Sequence, residues 1–345
     1  MAEFAQRRLS APTLDVETVA LLQHIFANPG QDPRSIDLYK LRYVFRLILQ
    51  SCRTERTGPV PYNSMDVVIY CDDSRLRSLN SPTLLGHIYQ DTSNGVYLFR
   101  ENKLCPSNPK NQESAINERG FDDLFMTTLA MTSNPRIETF VNGIKTRENR
   151  PTQIQLCDSF INSLKKTDMK NAKDVIERTR FQNAITGKGD PSNHFKDIDA
   201  VGDLLDVTLL HEMTHARIAW VQPNPYFDEV RNGEDDKDDK DDKDDRNVEP
   251  IIEGLADVKV RDPSRFFTKV SAYGWSRITR LAREGPSSGE TNLGAADHNS
   301  DSYAMFGAAL HFDDLPAMIH HRRVKRTTIV QDSQVQMRRK EDLDP

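Results

Sequence analysis

The sequence predicts an α+β fold, mostly helical with a small sheet, on three observations. Two stretches with helical apolar spacing open the chain, three short runs rich in β-branched and aromatic residues follow, and one well-patterned helix lies in the second half. That helix, Asp203 to Trp220, sets Leu205, Leu209, Met213, Ala216 and Trp220 within about 80° of arc at about 100° per residue. It therefore buries one face, and it carries His211 and His215 together on another, about 140° from the middle of the apolar stripe.

In chain order, Val16 to Phe26 places Val19, Leu22 and Ile25 at helical spacing, and Asn28-Pro29-Gly30 stops it. Ile36 to Cys52 follows with a broad apolar face of Leu38, Leu41, Val44, Phe45, Leu47, Ile48 and Leu49. Val67 to Cys71, Gly95 to Phe99 and Gln153 to Cys157 are short, β-branched or aromatic, and bounded by turn residues, so they are the strands. Cys105 to Glu118 is polar and rich in Pro and Asn, which predicts a surface loop.

With 345 residues, 37% apolar and 28% charged, the chain is long enough for one large domain, predicted over 15–318. Inside it, the Asp-Asp-Lys triplets of 228–249 have no apolar face to bury and form a flexible acidic insertion. The run does not set Gly and alternating acids at the fixed positions of a calcium loop. Residues 319–345 form a charged, disordered tail. Nine acids against four bases between Glu234 and Arg246 account for most of the net charge of −6, and a chain of this balance is not built to hold nucleic acid phosphates. No run approaches the roughly 18 apolar residues of a membrane span. Cys52, Cys71, Cys105 and Cys157 show no CxxC spacing, which leaves both disulfides and reduced thiols open. The missing apolar signal core and the absence of glycosylation sequons favour an intracellular chain, the alternative being a secreted one whose leader is missing from this sequence.

The chemistry lies in His211-Glu212-Met213-Thr214-His215, an HExxH motif on a helix. Residues i and i+4 share a helical face, so both imidazoles reach one tetrahedral ion. Glu212 stands beside them, where its carboxylate can take a proton from water whose pKa zinc lowers towards about 7. A hydrolytic site needs a third protein ligand. Glu253-Gly254-Leu255-Ala256-Asp257 supplies two carboxylates four residues apart, read as a helix on which Glu253 ligates zinc and Asp257 orients an imidazole from behind. A solvated helix face is the plainer alternative.

Downstream run Ala272-Tyr273-Gly274-Trp275, then Ile278 to Ala282, then Asn299-Ser300-Asp301-Ser302-Tyr303-Ala304-Met305-Phe306-Gly307. HExTH, a YG element and an Asn-Ala-Asp-x-Tyr-x-x-Phe-like element in this order resemble the deuterolysin-like aspzincin metallopeptidases, and most nearly fungal proteins with a lysine-specific metallo-endopeptidase domain. The resemblance covers roughly residues 150–312, and the Ile154 to Phe160 strand is similar to the one preceding the catalytic helix there. It implies a zincin-like metallopeptidase fold with one Zn²⁺ per chain, held by His211 and His215, and with Glu212 as general base. It further implies that Tyr273 stabilises the oxyanion and that Asp301 lines the pocket for the residue after the scissile bond. A buried aromatic and a helix N-terminal residue are the respective plainer readings. The family's third ligand is an Asp three residues before the YG tyrosine, and that position is Val270 here. Valine cannot bind zinc, so Glu253, Asp257 or Asp262 replaces it, or the site is impaired.

The expected function is that of a zinc-dependent endopeptidase, which hydrolyses peptide bonds in peptide or protein substrates by zinc-activated water. The alternative is a catalytically weak zincin-like domain acting as a protein-binding module.

Overall fold

The computed structural model describes residues 1–52, 62–83, 86–93, 95–99, 105, 128–141, 144–168, 170–171, 174, 202, 204–220, 254–261, 269–287 and 295–311. Three strands, β1 (Val67–Tyr70), β5 (Ala130–Ser133) and β8 (Thr152–Leu156), make the central sheet in the order β1-β8-β5. β1 runs parallel to β8 and β5 antiparallel to it. All of β8 is buried, with its two faces alternating as the pleat requires. Ile154 and Leu156 enter the apolar core, while Gln153 and Gln155 face a buried polar network. In that network Arg75 pairs with Asp91 at 3.4 Å and donates to both glutamines, and Gln153 donates to Asp91. The arrangement compensates two charges that would otherwise be costly to bury. Asp91 ends the middle strand of a second sheet, β2 (Leu76–Thr83), β3 (Gly86–Asp91) and β4 (Val96–Phe99), antiparallel throughout, and Arg75 directly precedes its first strand. β6 (Arg136–Val141) and β7 (Ile144–Asn149) form a separate hairpin.

The helices are α1 (Ala2–Leu9), α2 (Val16–Ile25), α3 (Tyr39–Cys52), α4 (Asp158–Lys166), α5 (Leu205–His215), α6 (Trp275–Glu284) and α7 (Ser300–His311). The chain is thus α+β, as its patterning predicts. α1, ahead of the predicted domain start at residue 15, buries Ala5 and Leu9 completely and packs on α3 and α7. α2 begins where Asp15 accepts from the Thr18 N–H and hydroxyl, an N-cap that holds its first turn. α7 is buried on nearly all sides and lies along α5. Gly307 permits that approach, because a Cβ there would stand 2.7 Å from a methyl of Leu210. Phe26, Phe45, Tyr303 and Phe306 close the core beside it, with ring centroids 5.4 to 6.2 Å apart. The last two strands, β9 (Lys259–Arg261) and β10 (Lys269–Ser271), pair antiparallel and set Val260 opposite Val270, both buried.

The acidic insertion, the tail and residues 106–118 of the expected loop lie outside the described residues. Among the described residues, no helix is long and apolar enough to cross a membrane. Cys105 is bonded to Cys157, whereas Cys52 and Cys71 are free and exposed. A bond spanning 52 residues limits the unfolded chain by about 4 kcal/mol on a loop-closure estimate. Replacing Cys105 and Cys157 together by Ser is expected to lower the urea unfolding free energy by about that amount. A loss below about 1 kcal/mol would show that the bond contributes no constraint.

Candidate metal centre

α5 was expected to reach Trp220, but it stops at His215, where Ala216 turns extended (φ −64°, ψ 142°) before a short 3₁₀ turn over Arg217–Ala219. Its buried face also differs from the expected stripe, since Val207, Leu210, Met213 and Thr214 are buried while Leu205 and Leu209 are half-buried. The helix is covered by α7 and by β5, so its buried surface is wider than one stripe. Its end is closed by side chains and by a neighbouring segment. Asn134 donates to the His215 carbonyl at 2.9 Å, and the Leu255 N–H donates to the Thr214 carbonyl at 2.7 Å. Gly254 lies directly on this turn, and a Cβ there would fall 2.3 Å from the His215 carbonyl carbon.

Residues 254–258 are not helical. Ala256 forms a parallel bridge with Asn299, its N–H donates to the His298 carbonyl, and the Ser300 N–H donates to the Ala256 carbonyl. Asn299, wholly buried, accepts from Val258 N–H and donates to the Ala272 carbonyl. The start of α7 is therefore the point where the segment carrying Asp257 and the segment carrying Tyr273 are joined.

This framework brings Asp257 to the front of the two imidazoles. His211 Nε2 and His215 Nε2 stand 3.1 Å apart, and Asp257 Oδ1 lies 3.5 Å from the first and 3.2 Å from the second. The three atoms form a group able to hold a metal ion. Asp257 Oδ1 is buried and accepts no hydrogen bond in the protein. The opposite edges of the rings are engaged. His211 Nδ1 is 3.2 Å from Asp301 Oδ1, while His215 Nδ1 is 2.7 Å from the Leu255 carbonyl and 3.0 Å from Ser300 Oγ. With both Nδ1 atoms occupied, the Nε2 atoms are the ones presented to an ion, the usual role of partners behind metal-binding imidazoles.

In the protein alone the three groups also hold one another's charges. Burial opposes a charged His211, yet Asp257 and Asp301 outweigh it and hold the imidazole's pKa well above the ordinary value. His215 is raised in the same way, burial being overcome chiefly by Asp257. Burial likewise opposes the Asp257 charge, and the two imidazoles reverse this and hold the carboxyl well below the usual range.

Glu212 is buried beside the pair, with its Oε2 accepting the Thr132 hydroxyl at 2.6 Å from β5. Tyr273 does not present a free hydroxyl; it donates to Asp257 Oδ2 at 2.5 Å, its ring edge-on to His211 with centroids 5.6 Å apart. Burial, then Asp257, push its phenol well above the ordinary pKa. Asp301 spends its second oxygen on the Gly274 N–H at 2.6 Å, where a φ of 77° turns that amide inward.

The sequence-predicted residues thus divide. His211, Glu212, His215, Asp257, Tyr273 and Asp301 converge on one place, but Asp257 is in front of the rings and Asp301 behind His211. Glu253 and Asp262 lie outside the described residues. Val270 sits in the apolar core opposite Val260, so it faces none of the chemistry. Thr132, Asn134 and Ser300 were not singled out from the sequence. Ser300 stands inside the quoted Asn299 to Gly307 element, whereas Thr132 and Asn134 lie at a four-residue strand with no pattern to mark it. Comparison of this chain with protein-family models, with curated proteins and with solved structures gives no match.

Proposed function

We propose that this protein is a zinc-dependent endopeptidase of zincin-like fold, with His211, His215 and Asp257 as the metal ligands and Glu212 as the general base. The separation of the three ligand atoms carries the reading. Ligands of a tetrahedral zinc at about 2.0–2.1 Å stand about 3.3 Å from one another. The observed 3.1, 3.2 and 3.5 Å match that edge with no rearrangement, and leave one corner for water or substrate. Two imidazole nitrogens favour zinc over calcium or magnesium, which take oxygen ligands. Zinc when bound supplies a Lewis acid for the scissile carbonyl and lowers the pKa of water towards about 7.

The chain's own residues supply the rest. Glu212 receives the proton of the attacking water and passes it to the leaving amine, and the Thr132 hydroxyl holds one of its oxygens so that the other is free for this work. A peptide is the substrate class that suits the setting. β5 is one of the two outer strands of the central sheet among the described residues, and an extended peptide added along it would pass beside Glu212. The binding-module alternative rested on the missing carboxylate at Val270, and Asp257 supplies one in space. The Cys105–Cys157 bond favours an oxidising compartment over the intracellular one to which the sequence leaned.

Protein purified without added zinc is expected to carry about one zinc per chain and to cleave an unstructured protein such as casein. A chelator should abolish both, and zinc should restore both. Substoichiometric zinc that addition does not restore would overturn the reading.

A further inference from the structure

We propose that Tyr273 is a positioning residue that divides the two oxygens of Asp257, keeping Oδ2 on its hydroxyl so that only Oδ1 faces the metal. The inference rests on the His211, His215 and Asp257 site proposed above. It assigns Tyr273 a role other than the oxyanion stabilisation that its YG element suggests.

The geometry distinguishes the two oxygens sharply. Oδ1 is buried, accepts no hydrogen bond and stands 3.2 to 3.5 Å from the two Nε2 atoms. Oδ2 takes the Tyr273 hydroxyl at 2.5 Å. A phenol has one proton to donate, so a hydroxyl committed to Asp257 is not available to a developing oxyanion. Asp257 needs such a partner because it lies in an extended segment, where no helical register fixes its side chain. Left free, a carboxylate can bind zinc through both oxygens and fill the position that water or substrate must occupy. Tyr273 is itself well placed to serve as a clamp. The next residue, Gly274, is tied to Asp301, and Asp301 stands behind His211. One continuous set of contacts therefore runs from the first turn of α7 through the YG element to the front and back of the metal site.

The test is zinc affinity, measured by competition with a chelator, for the wild type and Tyr273→Phe, alongside thermal unfolding of both. Loss of the clamp should weaken zinc by 10–100-fold, the range for partners that orient metal ligands. With cobalt(II) in place of zinc, the visible absorption of Tyr273→Phe should weaken relative to wild type, as coordination rises above four. Affinity reduced by fivefold or less, or an unchanged cobalt spectrum, overturns the inference and returns Tyr273 to the substrate side. Should Tyr273→Phe fail to fold, Tyr273→Leu, which fills part of the same space and has no donor, takes its place under the same thresholds. A wild type that binds no zinc sinks the metal-site reading and this inference together. A wild type that binds zinc as tightly as its Tyr273→Phe variant sinks only the second.

Discussion

Glu212→Gln is expected to retain one zinc per chain and to lose about 10²–10⁴ of its turnover, while Asp257→Ala loses the zinc itself. The two variants separate proton transfer from metal holding within one site. Gln keeps the shape of Glu212 and an amide oxygen that can still accept the Thr132 hydroxyl, so the packing under α5 is preserved. What it lacks is a basic oxygen, and general-base catalysis is worth about that range. Asp257→Ala instead leaves two neutral imidazoles, which hold zinc poorly without a carboxylate to compensate its charge. Its loss of affinity should exceed the 10–100-fold typical of a group standing behind a ligand. Metal analysis and casein cleavage on both proteins decide the matter. Zinc lost from Glu212→Gln would mean that Glu212 holds the metal. Zinc retained within tenfold by Asp257→Ala would place the third ligand elsewhere in the chain.

Where an element repeats its pattern over several turns, or carries its turn signals beside it, the structure and the sequence agree closely. α2 and the Val67, Val96 and Thr152 strands fall within a residue or two of their expected places. α3 starts three residues after the expected Ile36, beyond a 3₁₀ turn at Pro33–Ser35. The HExxH pair was legible for a related reason: i and i+4 on a helix share a face whatever surrounds it. α1 was not legible, because eight residues with two fully buried positions give too little periodicity to stand out. The end of α5 was not legible either. Nothing in Ala216-Arg217-Ile218-Ala219 opposes a helix, and the stop is imposed from outside, by Asn134 on one carbonyl and Leu255 on another. Asp257 illustrates the same limit in the site. Its four-residue spacing from Glu253 suggests a helix, but the bridge of Ala256 to Asn299 makes the segment extended and turns Asp257 from the back of the rings to their front. Local spacing marked the candidate residues, and long-range pairing decided their geometry.

Gly254→Ala should be among the most damaging single-atom additions in the protein, and its effect should reach the metal. The Cβ would stand 2.3 Å from the His215 carbonyl carbon and 2.5 Å from the Thr214 carbonyl oxygen, both of them backbone atoms that cannot rotate aside. Something must shift, and the choices are few. Moving the end of α5 displaces His215, whereas moving residues 254–258 breaks the Leu255 bond to Thr214 and withdraws Asp257. Either way one of the three proposed ligand atoms leaves a group whose separations now match a tetrahedral edge. Overpacking of this kind typically costs about 1–3 kcal/mol, and contact with backbone rather than side chain puts this case at the upper end. Zinc affinity should therefore fall at least tenfold in Gly254→Ala, with the unfolding transition moved down as well. Gly307→Ala provides the contrast. Its Cβ would press on Leu210, a side chain that can adjust, on a stretch of α5 a full turn from His215. That variant should lose stability yet hold zinc far better than Gly254→Ala. Equal zinc affinity in the two variants would show that the contact of residue 254 with α5 does not hold the ligands in place.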